Sequence, residues 1–238
     1  MKRTFMYGLL GLAALVSACQ QDNDSVTPDN GVVVNSDFKQ NMDSWTGDFT
    51  DYSTQQDSIM AFSLTHAALP APLDTTKKAL RISGSNRSDD MFMFVKRKVT
   101  GLTANTTYQL RFDIELASTY ADNSIGIGGS PGGSVYLKAG ASATEPVKVK
   151  ENDFYHLNLD KGNQAEGGKD LILLGNVGAG TDVTQYKLIQ RDNATKTFSA
   201  KTNDKGELWV IVGTDSGFEG VTTLYYNKIK VTATKVTN

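Results

Sequence analysis

Carboxylates and aromatic rings carry most of the chemistry this sequence could perform. Trp45 is followed closely by Asp48, Asp51 and Tyr52, in a stretch without apolar periodicity. A ring beside carboxylates is the mixed lining expected of a small-molecule site, and it suits sugars: their CH faces stack on rings while their hydroxyls bond to polar groups. A second polar loop holds Arg87, Asp89 and Asp90. The expected ligand-binding set is Trp45, Asp48, Asp51, Tyr52, Arg87 and Asp89. Two plainer readings stay open, in which Trp45 caps an open end of the body and residues 84–90 only make a turn. Tyr120, Tyr136, Tyr225 and Tyr226 are further rings, whereas Trp209, inside a run of β-formers, reads as core.

Catalysis finds little support. A glycosidase needs two carboxylates flanking the scissile bond. Asp113 and Glu115 share one face of a strand, about 7 Å apart by strand geometry, but Arg111 beside them makes a solvated, ion-paired face the simpler reading. Neither His66 nor His156 stands near a recognisable nucleophile. The glycines of residues 122–133 lead into another strand, not into the lysine, hydroxyl and helix that a phosphate-cradling loop requires. Catalytic residues: none are expected. A single cysteine, Cys19, excludes intramolecular disulfides and cysteine-based zinc sites. The net charge is −2, and it becomes more acidic once Lys2 and Arg3 are removed with the leader, so nucleic acid is not an expected partner.

The elements that must position these groups are strands. Residues 91–117 read as two strands joined by a polar turn at 101–107, with the first apolar on both faces. In the second, Tyr108, Leu110, Phe112, Ile114 and Leu116 alternate with Gln109, Arg111, Asp113 and Glu115. That wet face is either the floor of a groove or an ordinary solvated surface. Residues 32–34, 79–83, 134–139, 147–150, 171–174, 186–190, 197–200, 208–212 and 223–233 read as further strands, and residues 65–78 as a loop. No stretch after the leader has a helical period. The fold class is all-β, an antiparallel β-sandwich of about ten to twelve strands in one domain over 32–238.

The amino terminus has a different character. Residues 1–18 pair a basic start with an apolar run over 5–16, the layout of a secretory signal peptide and too short to span a bilayer. The leader ends Leu15-Val16-Ser17-Ala18-Cys19, which resembles a bacterial lipobox. The resemblance implies cleavage before Cys19 and lipidation of that residue. Acyl chains then hold the protein at the membrane, each buried methylene contributing about 0.8 kcal/mol. Residues 19–31 read as a flexible tether. Asp22 and Asp24 in it resemble a surface-export signal, with a plain linker as the alternative.

Asn35-Ser36-Asp37-Phe38 with Trp45, the run from Gly101-Leu102-Thr103 to Phe112-Asp113, and Leu224-Tyr225-Tyr226-Asn227-Lys228-Ile229 together resemble jelly-roll domains of the galactose-binding-like type. These include many carbohydrate-binding modules. The resemblance implies a jelly-roll sandwich and allows a structural calcium near the first and last strands, with Asp37, Glu219 and Asn227 as its candidate ligands. Such a cation needs six to eight oxygen donors. The expected function is that of a lipoprotein anchored to the bacterial membrane, the outer membrane above all, facing the periplasm or the cell surface. It would bind a glycan or other envelope ligand without catalysis. A structural role docking on an envelope protein partner is the alternative, and a glycan-acting hydrolase comes third.

Overall fold

A computed structural model describes residues 30–237. The leader, Cys19 and the tether up to residue 29 lie outside the described residues. Alternation of apolar and polar residues builds two antiparallel sheets that face each other. In the first, β15 (Val221–Lys235) lies between β7 (Thr107–Ser118) and β5 (Lys78–Ser85). Its edges are β12 (Lys187–Asp192) and β4 (Ser63–Ala68), while β1 (Asn30–Ser36) also pairs with β15 and β13 (Ser199–Lys201) with β7. The second sheet runs β11 (Leu171–Asn176), β8 (Val135–Ser142), β14 (Leu208–Ser216), β6 (Met91–Val99), β2 (Thr46–Thr50). A third, small sheet joins β3 (Tyr52–Ser53), β10 (Phe154–Leu157) and β9 (Lys148–Glu151). The protein is an all-β sandwich. Among the described residues its fifteen strands exceed the expected ten to twelve because several are only two to four residues long.

The main core lies between the large sheets. Leu110, Phe112, Ile114 and Leu116 of β7 and Leu224, Ile229 and Val231 of β15 meet Met93 and Val95 of β6 and Val210 and Val212 of β14. The expected alternation of β7 holds along its length. Its relation to β6 differs from a hairpin: the two strands belong to opposite sheets, and residues 100–106 carry the chain across the pole of the sandwich. Gly101 makes the bend with φ 82°, and the Tyr108 hydroxyl accepts the Thr103 N–H at 3.0 Å, tying the crossing to the strand it feeds. Residues 65–68, read as loop, instead extend β4, because pairing with β5 satisfies their backbone where their side chains show no apolar alternation.

The second sheet is covered on both faces, which accounts for the unbroken apolar run in β6. Met91, Met93 and Val95 point inward; Phe92 and Phe94 point outward and pack with Leu157, Leu159, Leu171 and Ile211 in a separate cluster. The two phenylalanine rings stack at 5.7 Å. Gly213 makes room for them, since a Cβ there would stand 2.5 Å from Phe92 Cζ. Burial of each ring contributes about 1.5–3 kcal/mol. Trp209, read as core, projects from this outer face instead, with the ammonium groups of Lys98 and Lys96 5.2 and 5.5 Å from its ring. β14 alternates, and Leu208 and Val210 take the inward positions on either side of it.

Candidate functional site

Five of the six expected ligand-binding residues gather on the outer face of the second sheet, around a buried group of charges. Asp51 follows β2 in a left-handed conformation (φ 66°) and is 7% exposed. Asp215 of β14 and Lys138 of β8, both 0% exposed, stand beside it, and Lys161 reaches in from the segment that covers the sheet. Asp215 Oδ2 accepts from Lys138 Nζ at 2.8 Å, from Lys161 Nζ at 2.8 Å and from the Gln164 N–H at 3.1 Å. Lys161 also lies 3.5 Å from Asp51, and Lys138 donates to the Lys161 carbonyl at 2.9 Å. Asp90 completes the group within hydrogen-bonding reach of Asp215.

Burial dominates the electrostatics here. It pushes the Asp51 carboxyl up, with Lys161 opposing, and pulls the Lys138 ammonium down, with Asp215 opposing. At Lys161 burial acts downward too, but Asp215 and Asp51 outweigh it and hold the ammonium above its ordinary value. Asp90 is pushed up to about 6 by burial, with Asp215 and Asp51 adding to the effect against Lys161. Asp90 Oδ1 and Asp215 Oδ1 are buried without a hydrogen-bond partner among the described residues. Unequal carboxyl groups of this kind can serve as an acid and base pair. Here, however, Asp215 is wholly enclosed and its donors are the fold's own lysines, so the group acts as an internal clasp holding the covering segment to the sheet.

The remaining members sit at the rim of this clasp. The Tyr52 ring is 0% exposed and stacks on Phe49 at 4.6 Å. Its hydroxyl donates to Asp57 at 2.5 Å and accepts from Lys148 at 2.9 Å, and burial followed by the Asp57 bond pushes its pKa upward. Lys148 also pairs with Asp48 at 2.9 Å. Arg87 and Asp89 are exposed and join the assembly through backbone: the Arg87 carbonyl accepts from Gln56 and the Asp89 carbonyl from Gln164. Trp45 is separate and is not a ligand platform. It is 2% exposed, within the main core, and its indole N–H donates to Ser36 Oγ at 2.8 Å.

The three expected calcium ligands do not converge. Asp37 and Asn227 border one cleft, but Glu219 precedes β15 and lies eight residues from Asn227, about 26 Å along the strand. Asp37 pairs with Lys39 at 2.5 Å, and the Asn227 side-chain amide donates to Glu115. Among the described residues no cluster of three or more histidines, cysteines or carboxylates is arranged to hold a metal ion. The spacing of motifs along the sequence does not carry the length of β15, which sets these residues apart.

The outer face of the first sheet is open, and its lower half is closed electrostatically. Arg111 bonds to Asp113 at 3.1 Å and to Asp192 at 3.4 Å, while Glu115 accepts from Gln190 at 2.5 Å. The question left at the wet face of β7 resolves to a paired surface. One row nearer the opposite pole the character changes. Ala117 of β7, Tyr225 of β15 and Arg81 of β5 face each other across neighbouring strands. Tyr186, ahead of β12, meets Tyr225 edge-to-face with ring centroids 5.5 Å apart. Leu69, Leu73 and Ala79 pack under the two half-exposed rings. Among the described residues Arg81 forms no ion pair or hydrogen bond. Tyr186 and Arg81 were absent from the expected site. An arginine at an outward position between Ala79 and Ser83 was the signal available for one; Tyr186 stood in a segment read only as a short strand.

No family model matches the chain, and no curated protein matches it. Among solved structures it is similar to the Clostridium thermocellum xylanase 10B CBM22-1–GH10 modules complexed with xylohexaose (12% identity, TM-score 0.37, 88% of this chain and 29% of that one). It is similar also to TmCBM61 in complex with β-1,4-galactotriose (8%, 0.31, 79% and 86%). A third is the K3 cleaved adhesin domain of Lys-gingipain from Porphyromonas gingivalis (11%, 0.36, 85% and 98%). The chain spans 20% of the bacteriophage CBA120 tailspike protein 4 domain, to which it is similar at 10% identity and TM-score 0.35. At these TM-scores the neighbours contribute nothing on ligand or activity.

Proposed function

We propose that the protein is an exported bacterial lipoprotein whose body, a sandwich of jelly-roll type, binds a glycan without catalysis. The observation that carries the binding reading is the Tyr186–Tyr225 pair beside Arg81, whose side chain has no partner among the described residues, on the first sheet's outer face. Rings supply the stacking surface for sugar CH faces, and Arg81 beside them supplies a polar contact. The lipobox-like end of the leader supports the anchor, with Cys19 as the lipidated residue and the outer membrane as the address. The internal clasp, enclosed and satisfied by its own lysines, supports a non-catalytic reading.

Glycan-array binding by the full chain should fall about tenfold or more in Tyr225→Ala, on the scale of a lost stacking contact. Array signals that survive the substitution unchanged would sink the site. For the anchor, Cys19→Ala should release the protein into the soluble fraction; retention at the membrane would show that Cys19 is not its attachment point.

One other observation favours the docking alternative. Ile125 and Ile127, at 96% and 72% exposure, project from the glycine-rich loop beside Val221, at 58%. An array with no glycan signal, together with an envelope protein that co-purifies with the wild type but not with Ile125→Ser/Ile127→Ser, would support that role instead.

A further inference from the structure

We propose that the ligand of the tyrosine platform is an acidic glycan, whose sugar carboxylate pairs with Arg81. The inference rests on the glycan reading above and adds the ligand's chemical class. Three observations carry it.

The first is the state of Arg81. It lies on β5, one strand in from the β4 edge, half-buried between Tyr225 and Thr65 on the neighbouring strands, and no carboxylate of the described residues pairs with it. Arg97 is committed to Asp43 and Ser36, Arg111 to Asp113 and Asp192, and Arg191 to the carbonyls of Asn176 and Gly178; Arg87, whose side chain also has no partner among the described residues, differs from Arg81 in being exposed. A guanidinium is a planar fork matched to a carboxylate, and burying part of its surface without an anion is unfavourable.

The second is the cleft that continues the platform. It has a volume of about 250 Å³ and is bordered by Lys39, Lys77, Lys78 and Lys228, with Asn227 and Asp37; Lys39 is paired with Asp37 and Lys77 with Asp74, which leaves Lys78 and Lys228 as the cations without an ion pair among the described residues. Lys228 follows Tyr225 by three positions on β15, about 10 Å, and Lys78 begins the strand that carries Arg81. Arg81, Lys78 and Lys228 thus set three cations without an ion pair among the described residues along the way from the rings to the cleft.

The third is contrast. The chain as a whole carries a net charge of −2, and the adjoining half of the same face has its charges matched in pairs. A local cationic track on an acidic protein selects for an anion, and the rings beside it select for a sugar rather than a bare phosphate.

The test uses the full chain in mild detergent and follows binding to polygalacturonate and alginate, to fully methyl-esterified polygalacturonate, and to neutral glucans. Uronate polymers should bind about tenfold or more tightly than the esterified and neutral ones, with affinity falling as salt is raised. Arg81→Gln should remove that preference while leaving the residual binding of the neutral polymers in place, and Arg81→Lys should retain part of it. Equal binding of acidic and esterified polymers, or a preference untouched by Arg81→Gln, overturns the inference and leaves the glycan reading standing. Uronate binding that survives Tyr225→Ala at full strength, or no binding to any polymer, overturns both.

Discussion

Replacing Asp215 with alanine is expected to cost about 3–5 kcal/mol of folding stability, the scale of a buried ion pair broken from one side. Lys138 is 0% exposed and would keep its ammonium in the interior with only the Lys161 carbonyl as a described partner, and Lys161 would lose one of its two carboxylates. The sheet's own strands remain paired in the variant, so the loss should appear first in the covering segment that carries Lys161 and Gln164. Urea unfolding gives the magnitude. A double variant, Lys138→Met/Asp215→Ala, should lose less than the sum of the two single variants, because removing both partners leaves no orphaned charge. A loss below about 1 kcal/mol in Asp215→Ala, or strict additivity in the double variant, would show that the clasp does not hold the segment down.

Trp45→Ala should be about as damaging, costing roughly 3–5 kcal/mol through the cavity it leaves in the main core. The ring is enclosed, and its N–H anchors Ser36, which also accepts from Arg97 and donates to Asp43 at 2.5 Å. Loss of the indole therefore unseats the segment between β1 and β2 as well as emptying the core. Trp45→Phe keeps most of the packing and should lose much less. Glycan affinity measured on folded Trp45→Phe should equal that of the wild type, because the residue lies away from the tyrosine platform. A selective loss of binding in a variant of unchanged stability would return Trp45 to the site.

The strands that carry an alternating pattern were legible in the sequence because burial on one face imposes a period of two. β7 and the end of β15 are the clearest cases, and the double-faced apolar run of β6 correctly announced a sheet covered on both sides. What a one-dimensional pattern does not hold is which sheet a strand joins. β6 and β7 follow each other across a polar turn and yet part company, since a crossing at the pole and a hairpin use similar residues. Trp45 and Trp209 show the same limit at the level of single side chains. The first lies in a segment without periodicity and is core; the second lies among β-formers and faces outward. The carboxylates of residues 48–51 were found by composition, but their buried counter-ions, Lys138 and Lys161, stand far away in sequence and only the fold brings them together. Tyr225 was visible as a ring; its partnership with Tyr186 and Arg81 depends on the same long-range pairing.

β15 pairs with β1, β5 and β7, strands drawn from the beginning and middle of the chain. Among the described strands it is the last in chain order. Until it emerges, β5 and β7 have no neighbour in common, and the first strand has no edge to join. Closure of the first sheet is thus deferred until β15 is made, whatever local structure forms earlier, and the chain between β1 and β15 must close as a loop for it. Loss of even a short C-terminal piece would then be felt at the opposite end of the sequence, because the strand that ends there is the one on which the first begins.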